Sequence, residues 1–209
     1  MERPRFVVLV PVKDPDVGKS RLRLPEHLRP GVASAFALDT LHAARESELV
    51  ADVVVVTHDE AFAAVATEFG YDHVDDVAGG LNASLIAAAA AIRKSHPDQR
   101  PVALCADLPS LRAADLTAAF ASLPEHAPAY VADANGTGTT MYSAPYPAFV
   151  PQFGPGSAAA HAAAGAVAII GDLPTLRCDV DDEASLAAAL RLGVGRFTQD
   201  VVPVLGAGA

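Results

Sequence analysis

"FVVLVPVKDPDVGKSRL" occupies residues 6–22. Its first seven residues are apolar and mostly β-branched, the pattern of a strand buried on both faces. Residues 13–30 then turn polar, with Gly18 and three prolines, and read as a loop. Gly18-Lys19-Ser20 matches the end of a phosphate-binding P-loop, G-x-x-x-x-G-K-[ST]. The first glycine of that motif would fall at Lys13, so the loop cannot wrap a phosphate in the P-loop manner. It still gathers Lys13, Lys19 and Arg21 within nine residues of an acidic chain. Such a cluster is either a solvated basic loop or a set of cations for a polyphosphate. Its place directly after a first buried strand favours the second reading.

Strand and helix signals alternate onward from this stretch. A helix is expected from Val32 to about Ser47, a strand at "ADVVVVT" (51–57) and a helix from Glu60 to Phe69 that stops at Gly70. "YDHVDD" (71–76) reads as a short strand with an acidic end, and Gly79-Gly80 precedes a helix at about 82–95. "VALCAD" (102–107) is a fourth strand, followed by a helix over about 113–122 that Pro109 opens. Alternation of this kind predicts an α/β fold with a mostly parallel, doubly wound sheet. Ligands on such sheets lie beyond the carboxyl ends of the strands. Those ends carry Lys13, His58-Asp59, Asp75-Asp76 and Asp107. Farther along, "AYVAD" (129–133), "TTMYSA" (139–144), "VAII" (167–170) and "RCDV" (177–180) read as strands, and 183–192 as a helix. The tail "VVPVLGAGA" is expected to end in disorder. No linker divides the chain, so residues 1–209 are expected to form one domain.

Composition narrows the function classes. The chain of 209 residues has a net charge of −10, which opposes general nucleic-acid binding. A small phosphorylated ligand needs only a local basic patch. No apolar run approaches the ~20 residues that span a bilayer, and no signal-peptide pattern is evident. A cytoplasmic protein without a membrane partner is therefore expected. Cys105 and Cys178 cannot make a disulfide framework and lack zinc-site spacing, so both read as buried small hydrophobes.

The acidic motifs carry the chemistry. Asp107 in "CADLPSL" is either a turn aspartate bonding its own backbone or a carboxylate at the ligand end of the sheet. In "CDVDDEASL" (178–186), Asp181 or Asp182 is accounted for as a helix N-cap, but Asp179 is not. On an extended segment, Asp179 and Asp181 would face the same side. Carboxylates with few other ligand types suit Mg²⁺, above all when a phosphate completes the shell. "NGTGTT" (135–140) and "FGPGS" (153–157) set glycines beside hydroxyls, as anion-binding turns do, or else they are a hairpin turn and a helix cap. His161 reads as a partly exposed helical histidine, and His58 has no nucleophile beside it.

Taken in order, "VPVKDPDVGKSRL", "GGLNASL", "ALCADLPSL", "GTGTTMY", "FGPGSAAAH" and "CDVDDEASL" resemble the small guanylyltransferases of coenzyme F-420 biosynthesis. These act with GTP on phosphoenolpyruvate or 2-phospho-L-lactate. The resemblance covers nearly the whole chain and implies a nucleotidyltransferase (glycosyltransferase-A-like) fold. It implies Mg²⁺ on Asp107, Asp179 and Asp181, and the phosphorylated acid at Thr139, Gly154 and Ser157. It places Lys13, Lys19 and Arg21 at the GTP triphosphate, where they would act in catalysis, and Gly80 and Asn82 near the nucleoside. Among bacterial members it favours phosphoenolpyruvate as acceptor. A labile activated product would favour direct hand-over to the downstream transferase of the pathway. Two rivals are another enzyme of the fold, such as a sugar-phosphate or molybdopterin nucleotidyltransferase, and a nonenzymatic nucleotide-binding module. The first should carry a glycine-rich loop after strand one, where this chain has Val10-Pro11-Val12-Lys13. The second has no need of three convergent aspartates.

Overall fold

The buried β-branched runs pair as one seven-stranded sheet in a computed structural model that describes residues 5–12, 22, 26–76 and 79–206. Lys13, Lys19 and Arg21 lie outside the described residues. The strands are β1 (Phe6–Pro11), β2 (Val50–Thr57), β3 (Asp72–Asp75), β4 (Arg100–Leu104), β5 (Ala129–Ala132), β6 (Thr139–Ser143) and β7 (Val167–Ala168). Their order is β3-β2-β1-β4-β6-β5-β7. Only β6 runs against its neighbours, β4 and β5; the other pairings are parallel. The start of β6 therefore lies at the same edge as the carboxyl ends of the parallel strands.

The alternation of side chains along a strand explains the two apolar layers. Val8, Val10, Val53 and Val55 enter one core, against Leu41 of α1 (Arg29–Arg45), Phe62 of α2 (Glu60–Glu68) and Leu116 of α4 (Ala113–Ala121). Val7, Leu9, Val54 and Val56 enter the other, against Leu85 of α3 (Leu81–Ile92) and Ala158 of α5 (Ser157–Ala163). A strand covered by helices on both faces has no polar side to place. That is why these runs are continuous rather than alternating. A third cluster packs Phe36 of α1 on Cys178, Val180 and Ala189, and so anchors the 178–189 segment to α1. Among the described residues no helix is long and apolar enough to cross a membrane.

Three elements differ from expectation. Pro109 sits in a turn before α4 rather than opening it. Much of the tail is helical, in α7 (Arg196–Gly206), whose first N–H groups at Phe197 and Thr198 donate to the Asp39 carboxylate at 3.0 and 2.8 Å. Residues 177–180 are not a strand, for reasons given with the site. The helix after them, α6 (Glu183–Leu192), lies where the sequence places it.

Thr40, fully buried on α1, reaches the end of β4. Its hydroxyl donates to the Phe36 and Ala106 carbonyls at 2.9 and 3.2 Å and accepts the Leu108 N–H at 3.1 Å. It thereby holds the backbone on both sides of Asp107. Thr40→Val keeps the shape and leaves the buried Leu108 N–H without this acceptor, a loss of about 1–3 kcal/mol. Denaturant unfolding should show a lower midpoint with an unchanged slope; an unchanged midpoint would show that Thr40 does not brace this turn.

Candidate active site

Two acidic stretches far apart in sequence meet at the carboxyl edge of the sheet. The Val180 N–H donates to the Asp107 carbonyl at 3.0 Å, and the Ala134 N–H donates to the Arg177 carbonyl at 2.8 Å. The Arg177 guanidinium donates to the Ala132 and Ile169 carbonyls at 2.9 and 2.8 Å. Residues 177–180 thus cross the ends of β4 and β5, with one backbone–backbone bond to the segment after each. Single bonds to two different segments make no ladder, which is why the expected "RCDV" strand is absent. Crossing this way sets Asp179 between Asp107, at the end of β4, and Asp133, at the end of β5.

The electrostatics record that meeting. The Asp179 carboxyl is pushed up to about 7, first by burial and then by the charges of Asp107, Asp181 and Asp133. Asp182 is the N-cap of α6, accepting the Ser185 N–H at 2.9 Å in a capping box. That settles the choice between Asp181 and Asp182 and leaves Asp181, which is exposed, among the neighbours of Asp179. Among the described residues no three His, Cys, Asp or Glu side chains are gathered closely enough to cage a metal ion by themselves. A hard cation that also takes phosphate oxygens and water needs only one or two carboxylates. The donor set of Asp107 and Asp179 fits such an ion.

Asp133 was not singled out from the sequence, although it ends "AYVAD" at the same sheet edge as Asp107. Its carboxylate accepts the Thr137 and Gly138 N–H groups at 2.9 and 2.8 Å and closes the β5–β6 hairpin. A Cβ at Gly138 would stand 2.6 Å from that carboxylate, which accounts for the glycine. "NGTG" is therefore a hairpin turn.

Thr139, Gly154 and Ser157 lie on neighbouring segments. Thr139 starts β6, and its carbonyl accepts from the Cys105 thiol at 3.3 Å, two residues before Asp107. The Ala158 N–H donates to the Thr137 carbonyl at 3.2 Å, seating the start of α5 against the hairpin. Gly154 is exposed, at φ 144°, whereas Ser157 is buried as the first residue of α5 after a left-handed Gly156. Asn82, at the start of α3 after Gly80, donates from Nδ2 to the Phe153 carbonyl at 3.0 Å and accepts the Phe153 N–H at 2.8 Å. Asn82 thus clamps the 153–157 turn to α3, and this use of its amide leaves one N–H and one lone pair for other partners.

One histidine departs from expectation. His161 is fully buried, not partly exposed, and bonds to Thr139 and Gln152. His58 Nδ1 lies 3.6 Å from Asp76, whose carboxylate accepts from the Ser84 hydroxyl. Both cysteines are free thiols; Cys178 is buried, as expected, whereas Cys105 is only half-buried, and burial pushes the Cys178 thiol up.

Comparison with known proteins follows the same lines. The phosphoenolpyruvate guanylyltransferase of Streptomyces avermitilis is 44% identical over 199 residues, covering 93% of this chain and 92% of that protein. That of Salinispora arenicola is 44% identical over 92% of this chain and 91% of its own length, and that of Mycobacterium leprae 39% over 93% of each. The chain belongs to the phosphoenolpyruvate guanylyltransferase family. No family model matches it. Solved structures share this guanylyltransferase's fold at low identity. A protein of Desulfovibrio desulfuricans described as a nucleotide-diphospho-sugar transferase has a TM-score of 0.68 at 14% identity, over 97% of both chains. A CMP-2-keto-3-deoxy-manno-octonic acid synthetase in complex with CTP gives 0.56 at 16% identity, over 90% of this chain and 98% of that one. A protein of Mycobacterium tuberculosis in complex with manganese gives 0.52 at 19%, over 91% of this chain and 100% of that one. The fold is that of nucleotidyltransferases.

The raised Asp179 carboxyl has a signed consequence for the ligand-free guanylyltransferase. Between its ordinary 3.8 and about 7, the folded state keeps a proton that the unfolded state has released. Rising pH through that window therefore favours unfolding. Asp179→Asn removes this contribution, so its melting temperature should exceed the wild type's by more at about pH 8 than at about pH 5. Equal differences at both pH values would show that the carboxyl is not held protonated by its surroundings.

Proposed function

We propose that the protein joins GMP from GTP to phosphoenolpyruvate, giving enolpyruvoyl-2-diphospho-5'-guanosine and pyrophosphate, as a step in coenzyme F-420 biosynthesis. 2-Phospho-L-lactate is the alternative acceptor. It differs by a tetrahedral methyl where phosphoenolpyruvate has a planar methylene. The observation that carries the reading is the convergence of Asp107 and Asp179 beside the segments of Thr139, Gly154 and Ser157. Membership of the family supports the acceptor and the guanine base.

In this reading a phosphate oxygen of the acid attacks the α-phosphorus of GTP, and pyrophosphate leaves. The attacking oxygen is already anionic, so no general base is required. The barrier is the approach of like charges and the charge that builds on the leaving group. Asp107 and Asp179 would hold Mg²⁺, which when bound supplies positive charge to the phosphate oxygens. Asp133 and Asp181 add to the local field that draws a cation to this edge. Thr139, Gly154 and Ser157 orient the three-carbon acid, and the Asn82 clamp on Phe153 holds their turn against α3. Gly80, with Asn82, borders the nucleoside. Lys13, Lys19 and Arg21 are assigned the neutralisation of the triphosphate's charge in this reading.

Incubation with GTP, Mg²⁺ and each acid should release pyrophosphate, more with phosphoenolpyruvate than with phospholactate. Asp107→Asn or Asp179→Asn should lower turnover at least ~100-fold with the fold intact. No release with either acid would end the assignment. Near-normal turnover in a folded variant would remove that aspartate from the mechanism.

A further inference from the structure

His161 is a fully buried polar side chain to which the reaction above gives no task. Its ring stacks on Tyr142, at 4.6 Å, and Tyr130, at 5.7 Å, with Phe153 edge-on at 5.6 Å. Nε2 lies 2.9 Å from the Gln152 backbone nitrogen. A backbone N–H can only donate, so Nε2 is the unprotonated nitrogen and Nδ1 carries the ring proton. Nδ1 lies 3.0 Å from the Thr139 hydroxyl, and the Ser157 backbone one turn back on α5 is a second neighbour of the same N–H. One neutral imidazole therefore ties together the Thr139 hydroxyl, the chain entering the Phe153-Gly154 turn and the start of α5.

We propose that His161 is a positioning residue for the phosphorylated acid, because its Nδ1–H occupies a lone pair of the Thr139 hydroxyl and leaves that hydroxyl's own proton for an anionic oxygen of the acid. The proposal rests on the guanylyltransferase reading. Without His161, the Thr139 hydroxyl is free to turn its proton elsewhere, and the 152–157 turn loses its tie to β6. Burial disfavours the charged ring, which keeps the Nε2 lone pair available to Gln152. The effect is local to the acid. GTP makes no contact with Thr139 in this reading, so its KM should change little.

Two variants separate positioning from packing. In His161→Gln the amide reaches the Nε2 position and can accept from Gln152, but the donor facing Thr139 is lost. In His161→Asn the amide nitrogen stands at the Nδ1 position and keeps that donor. The Gln variant should raise KM for the acid about tenfold with KM for GTP nearly unchanged, and the Asn variant should stay within about threefold of wild type. In a Thr139→Val background the His161→Gln effect on the acid KM should vanish. A parallel rise in both KM values, or an effect that multiplies with Thr139→Val, overturns the proposal. If the Gln variant does not fold, an Asn variant as impaired for the acid as Thr139→Val overturns it equally. No turnover by the wild-type protein with either acid removes the guanylyltransferase reading and this proposal with it. Turnover by the wild type with an unchanged acid KM in the Gln variant removes this proposal alone.

Discussion

The Val180 N–H donating to the Asp107 carbonyl is one backbone hydrogen bond, yet it draws together two stretches more than seventy residues apart in sequence. Its geometry depends on Thr40 holding the chain on both sides of Asp107, and on α1 packing against Cys178 and Val180. The sheet supplies the edge, and this bond lays an acidic segment across it. The charge cluster at Asp179 follows from that placement, not from any local preference of "CDVDD". Thr139 stands at the same edge because β6 is the one strand that runs backwards.

Stability and chemistry pull against each other here. A carboxyl pushed up to about 7 by burial and by three like charges is costly to hold ionised. A fold selected for stability alone would place an amide or an apolar side chain at this position. In the proposed reading, a cation and the phosphates it carries would recover that cost by favouring the ionised form. On the side that the proposed reading gives to the acid, rigidity comes by a different route, from side-chain hydrogen bonds to the backbone. Asn82 clamps Phe153, and Asp133 closes the hairpin before Thr139.

The sheet was legible because buried parallel strands leave a strong mark: four-residue to seven-residue apolar runs separated by helical spacing. Asp107 and the strand ends were legible for the same reason, since the ligand edge follows from topology. Residues 177–180 misled because "RCDV" has strand composition while its backbone partners belong to two segments, a fact of tertiary structure that no window of sequence contains. Asp133 could have been found by applying the strand-end rule to "AYVAD" as it was applied to "CADL". His161 could not, because its alanine-rich surroundings hide a burial set by Tyr130, Tyr142 and Phe153 from elsewhere in the chain. The helix over Arg196–Gly206 was not expected, because the carboxylate that caps its first N–H groups, Asp39, lies far away in the sequence.

The central claim is that the acidic segments joined by the Val180–Asp107 bond form the seat of a metal–nucleotide complex beside the acid pocket. Anomalous diffraction from crystals grown with Mn²⁺, a nonhydrolysable GTP analogue and phosphoenolpyruvate tests it most directly. The account predicts a metal peak in contact with carboxylate oxygens of Asp107 and Asp179, with the acid against Thr139, Gly154 and Ser157. A metal and nucleotide seated elsewhere on the sheet, with these two aspartates making no contact to either, would contradict it.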